Sequence, residues 1–117
     1  ILANVLAACD SIAEQTGLDI KVVDMHTVAP IDTLILNSCL SAKAIITVEE
    51  HFITGGLGSA VAEFLTETEC APKPALYRLG VDNKFSIPGD YQYLMETNGL
   101  DVAGLVASIS DICKAYE

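Results

Sequence analysis

Between Thr47 and Leu65 the chain reads TVEEHFITGGLGSAVAEFL. A β-branched run ends in two carboxylates and a histidine. Glycines follow at 55, 56 and 58, and Leu57, Val61, Phe64 and Leu65 then recur at helical spacing. A strand that passes through a tight turn directly into a helix constrains the fold strongly, because the next strand is then reached by a crossover and pairs in parallel.

The neighbouring segments extend the pattern. ILANVLAACDSIAEQTG carries a helical stripe (Leu2, Leu6, Cys9 and Ala13, with Ile1, Val5, Ala8 and Ile12 beside it), stopped at Gly17. IKVVDM from Ile20 reads as a strand, and VAPID as a turn in which Asp32 caps the helix TLILNSCLS. AIITVEE is a second strand, and ALYRLGV, after the loop APKPA, a third and weaker one. A helix from about Asp90 to Thr97 stops at Asn98-Gly99. The last helix, capped by Asp101, aligns Val102, Leu105, Val106, Ile109, Ile112, Cys113 and Tyr116. Alternating helices and strands, with strands nearly continuous in apolar residues, predict an α/β fold. Ile1 already lies in the helical repeat with no cap or strand before it. The expectation is therefore one domain over residues 1–117 that belongs to a longer chain.

Composition removes several classes of function. With 117 residues, 51% hydrophobic and 19% charged, the chain has enough apolar material for a single core. A net charge of −10 from 6 basic and 16 acidic residues disfavours nucleic acid and anionic membranes as partners. There is no apolar run long enough to span a bilayer and no secretory pattern, so a cytoplasmic location is expected. Cys9, Cys39, Cys70 and Cys113 are widely spaced, without a Cys-x-x-Cys pair, and three of them fall on apolar faces of predicted helices.

The glycine loop admits three readings. As a phosphate cradle it would use free N–H groups and the helix dipole. However, the Walker lysine is missing, Val61 stands where the dinucleotide fingerprint needs a small residue, and Glu49 and Glu50 would repel an anion. As a catalytic site it would use His51 oriented by Glu50, but no matching nucleophile can be named. As a packing device, Gly55 and Gly56 permit the tight turn, while Gly58 and Ser59 let the helix approach the sheet. Packing is the favoured reading. The exposed strand end then makes Glu49, Glu50, His51, Gly55, Gly56 and Gly58 candidates for interdomain or subunit contact. No catalytic, cofactor-binding or metal-binding residue is assigned. His26 reads as a structural histidine near a turn, and Tyr91 and Tyr93 as a half-buried helix edge.

VVDMHTVAPID, AIITVEEHFITGGLGSAVAEFL and YRLGVDNKFSIPGDYQYLMETNGLD resemble, in order and spacing, the C-terminal domain of transketolase and related thiamine-diphosphate enzymes. The polar DMHT ahead of Pro30 is closest to transketolase, notably its split form, while Ala29 departs from a lysine frequent in the family. The resemblance implies a three-layer α/β/α fold around a mostly parallel mixed sheet of about five strands, the first lying before Ile1. It implies a parent transferase, a cytoplasmic dimer of the pentose phosphate pathway, that moves a two-carbon ketol unit between sugar phosphates. Thiamine diphosphate and Mg2+ would be held by the pyrimidine-binding and diphosphate-binding domains, and this domain, inactive alone, would serve assembly. Alternatives are the corresponding domain of a 2-oxo acid dehydrogenase β subunit or of deoxyxylulose-phosphate synthase, or a stand-alone flavodoxin-like ligand-binding module.

Overall fold

Three aspartates start three of the five helices. Asp32 accepts from the N–H of Ile35 at 3.1 Å, Asp90 from Tyr93 at 2.9 Å and Asp101 from Gly104 at 3.1 Å. Each side chain supplies an acceptor to a first-turn amide that has no partner within its helix. In the computed structural model, which describes residues 1–117, these helices are α2 (Thr33–Cys39), α4 (Tyr91–Thr97) and α5 (Val102–Cys113). They are joined by α1 (Leu2–Thr16), α3 (Leu57–Glu67), the strands β1 (Ala44–Phe52) and β2 (Ala75–Val81), and a final 3-10 turn, Lys114–Tyr116. None of the helices is long and apolar enough to cross a membrane.

The chain divides into two compact units. One comprises Ile1–Asp24 with Lys84–Glu117. Here α1 packs against α5, burying Ala8, Cys9, Ile12, Met95, Leu100, Leu105 and Ile109. Helix α1 ends at Gly17 in the left-handed conformation, φ 70°, as its sequence predicts, and Ile1 at its start makes no side-chain cap bond. The Asn4 amide donates to the Leu100 carbonyl at 3.1 Å and ties α1 to the α4–α5 connection. Leu2 and Leu6 of the predicted stripe remain exposed. So do Tyr91, at 61%, and Tyr93, at 40%, which corrects the expectation of a half-buried edge: both lie in the first turn of α4 and stay open to solvent.

The other unit is Met25–Asn83. Strands β1 and β2 pair in parallel from Ala44↔Ala75 to Val48↔Leu79, and the register shifts before Phe52↔Val81. Because side chains alternate, Ile45, Thr47 and Glu49 share one face of β1, and Leu76, Arg78 and Gly80 share that face of β2. This face meets α3. Leu36 of α2 and Val61 and Leu65 of α3 form the buried cluster, with Ile31, Ile45, Phe64 and Leu76 packed around it. The Lys73 ammonium closes the far end of α3 by donating to the Leu65 carbonyl at 2.6 Å. Ahead of α2, Val28 and Ile31 bridge across a turn containing the cis Ala29–Pro30 peptide.

The α/β class stands, but the sheet differs from the expectation. It has two strands, both parallel, instead of about five in a mixed sheet. IKVVDM forms no strand: residues 20–25 take no part in the β1–β2 ladder, and the division between the two units falls between Asp24 and Met25. A β-branched run has the propensity for an extended chain, but only pairing makes it a strand. Two strands by themselves are marginal, so helix packing on their common face holds this pair.

Leu105, fully buried, should lose about 2–5 kcal/mol of stability on substitution by alanine. Asp101→Ala should cost about 1 kcal/mol. Leu34→Ala, at a side chain 82% exposed, should stay within about 0.5 kcal/mol of the parent. Urea unfolding of the three variants checks this ranking.

Candidate functional site

Helix α3 begins at Leu57, directly after the glycine turn, and Gly56 at its N-cap position has no side chain to offer the first amides. The missing acceptor comes from the strand. Glu49, eight residues earlier and 9% exposed, points from β1 to the start of α3. Its Oε2 accepts from the N–H of Leu57 at 2.7 Å and its Oε1 from the N–H of Gly58 at 3.1 Å. A buried carboxylate is costly without donors, and helix-start amides are costly without acceptors. This pairing satisfies both, and the positive end of the helix dipole adds to it.

The glycines make room for that contact. A Cβ on Gly56 would run into the Glu49 carboxylate oxygen. One on Gly58 would lie 2.7 Å from Cδ of Arg78 and 2.9 Å from Oγ1 of Thr47. Gly55 contributes differently, through a φ of 86° that side-chain-bearing residues rarely adopt. Its N–H donates to the Ser59 hydroxyl at 2.9 Å, and the Arg78 guanidinium donates to the Ile53 carbonyl at 3.1 Å, so the loop is held at both ends.

The six predicted residues therefore divide. Glu49 and Gly58 are buried and Gly56 half-buried, all engaged in the turn, whereas Glu50, His51 and Gly55 lie exposed around it. His51 Nδ1 donates to the carbonyl of Phe52 at 2.9 Å, and the two rings meet edge to face. Phe52 is itself 44% exposed, which places an apolar surface beside Glu50 and His51. Sequence reasoning missed three roles. Glu49 was expected to repel an anion and instead acts as one. Arg78 covers Gly58 with its stem. Thr47 is buried with an Oγ1 that has no partner. The signal available for Glu49 was its parity with Ile45 and Thr47, which turns all three toward α3.

Elsewhere the chemistry is sparse. No three His, Cys, Asp or Glu side chains gather as a metal site, and His26 is exposed. All four cysteines are free, and burial, with Asp10 and Cys113 nearby, pushes the Cys9 thiol up, which keeps it protonated and unreactive at neutral pH. An open groove of about 380 Å³ lies along Ala62, Leu65, Thr66, Lys73, Pro74 and Leu76, but its lysine is engaged with the end of α3.

The family model described as the transketolase C-terminal domain matches residues 1–105, a span that includes the whole glycine turn and both strands. The chain belongs to that family. Among individual relatives, 1-deoxy-D-xylulose-5-phosphate synthase of Chlorobium luteolum is 36% identical over 105 residues, covering 89% of this chain and 16% of the relative. The 6-deoxy-6-sulfo-D-fructose transketolase subunit of a Clostridium species is 36% identical over 115 residues, covering 97% of this chain and 34% of the subunit. A solved structure described as a split gene transketolase, inactive β4 tetramer, superposes with a TM-score of 0.74 at 37% identity, over 93% of this chain and 34% of that one. This transketolase C-terminal domain thus spans between 16% and 34% of the length of these relatives.

Glu49→Ala should lower the unfolding free energy by about 3 kcal/mol, as expected for two charge-assisted bonds lost from a buried site, and Glu49→Gln by less because one acceptor remains. Gly58→Ala should cost about 1–3 kcal/mol through crowding against Thr47 and Arg78. Equilibrium urea unfolding measures each. Cys9 should react with an aromatic disulfide reagent at neutral pH only as fast as the protein opens, and speed up in denaturant.

Proposed function

We propose that residues 1–117 are one C-terminal domain within a transketolase-type enzyme that transfers a two-carbon ketol unit between sugar phosphates, and that this domain serves interdomain and subunit assembly. The observation that carries the reading is the family match over residues 1–105, together with relatives that are named transketolase subunits or C-terminal sections. The parent uses thiamine diphosphate and Mg2+, which supply carbanion stabilisation when bound. The residues of this chain do not fit those groups. The two converging N–H donors of the glycine turn already hold Glu49, and no acidic or histidine cluster is gathered for a metal.

The partners in this reading are the pyrimidine-binding and diphosphate-binding domains or subunits of the same enzyme, in a cytoplasmic oligomer. The contact face is built on Glu50, His51 and Gly55, with Glu49, Gly56 and Gly58 shaping the turn beneath. Support comes from the split gene transketolase neighbour. That protein is described as an inactive tetramer of β chains, and this domain covers 34% of one such chain. A second reading has its own observation: several relatives are 1-deoxy-D-xylulose-5-phosphate synthases, one of them, from Bordetella petrii, 44% identical over 100 residues.

One experiment separates the two readings. The protein is combined with thiamine diphosphate, Mg2+ and its remaining domains or subunits, then assayed for ketol transfer between sugar phosphates and for 1-deoxy-D-xylulose 5-phosphate formation. Ketol transfer is expected, with none from the 117 residues alone. Formation of the deoxy sugar phosphate instead would establish the second reading, and turnover by the isolated chain would defeat both. Glu50→Ala with His51→Ala should weaken assembly, measured by ultracentrifugation, while leaving the stability of the isolated chain within about 0.5 kcal/mol.

A further inference from the structure

We propose that the first turn of α3 is an oxyanion cradle which the chain keeps closed with its own Glu49, and that removing this carboxylate opens the cradle to a small external oxyanion. The inference stands apart from the enzyme assignment and rests on the local geometry of residues 47–58.

Three observations converge. The amides of Leu57 and Gly58 point at one carboxylate, at 2.7 and 3.1 Å, from the start of an 11-residue helix whose dipole favours negative charge there. The backbone at Gly56 carries no side chain where that carboxylate lies, and a Cβ would occupy the same space. Independently of both, Thr47 stands on the same face of β1, only 5% exposed, with a hydroxyl that has no partner. Its Oγ1 is 2.9 Å from the position of a Cβ on Gly58, so it lies against the first turn of α3.

A buried hydroxyl without a partner is unusual and costs stability. Its place beside Gly58, whose amide donates to Glu49, gives it a use. The flat carboxylate of Glu49, tethered to β1, takes the two amides and leaves the hydroxyl unpaired, whereas a free oxyanion seated on the same amides can also accept from Thr47. The class of ligand is therefore a small oxyanion, from formate to phosphate in size. In the unaltered protein the cradle is closed to both.

The test uses the full chain carrying Glu49→Ala, titrated with sodium formate and with sodium phosphate against sodium chloride at equal ionic strength. The Leu57 and Gly58 amide resonances are followed by NMR and Tm by calorimetry. Saturable shifts of those two amides are expected, with a rise in Tm of about 5 °C over chloride at about ten times Kd. The unaltered protein should show neither. Adding Thr47→Val should weaken anion binding about fivefold. A response to formate alone assigns a carboxylate-sized cradle, and a response to phosphate as well assigns one that admits a tetrahedral ion. If Glu49→Ala is unfolded, recovery of structure in formate or phosphate but not in chloride supports the proposal. A variant that responds to neither anion beyond chloride overturns it, as does saturable binding at these amides with Glu49 in place.

Discussion

The contact between the Glu49 carboxylate and the amides of Leu57 and Gly58 is the interaction on which the architecture of residues 25–83 depends. Helix α3 starts from glycine and has no side-chain cap of its own, while β1 carries a buried carboxylate, Glu49, three residues before its end. Each would be unfavourable alone. Joined, they set the distance between strand and helix and decide which face of β1 turns inward. Once Glu49 faces α3, Thr47 and Ile45 follow by strand alternation, and Val61 and Leu65 meet Ile45 and Leu76 in the core cluster.

That contact also changes what the glycine loop means chemically. A strand, a glycine turn and a helix start form the geometry of an anion site, and here an anion is present, supplied by the chain itself. Gly56 and Gly58 are thus small for two separate reasons, one to admit a carboxylate and the other to admit the Arg78 stem and Thr47. With the turn engaged internally, Glu50, His51 and Phe52 remain exposed around it.

The caps differ in how far they reach along the chain, and that difference governs how legible they are. Asp32, Asp90 and Asp101 each bond an amide three residues ahead, so the aspartate and its helix appear together in the sequence. Glu49 bonds amides eight and nine residues ahead, across a turn, and read by itself it looks like a charge that would keep anions away. The strand expected at IKVVDM failed for a related reason. Its β-branched residues state a preference, and the segment joins neither β1 nor β2 in a ladder to realise it.

What the sequence by itself determined is everything set within a few residues: the five helices, the aspartate caps Asp32 and Asp101 of two of them, the glycine stops, the two paired strands, and the family to which the chain belongs. Only the tertiary structure decided which extended runs became strands, which of the six candidate residues turned inward, and that a threonine would be buried without a partner. Propensity, spacing and caps are local and survive in a linear reading. Pairing, burial and the approach of a carboxylate to a distant helix start depend on where the chain returns in space.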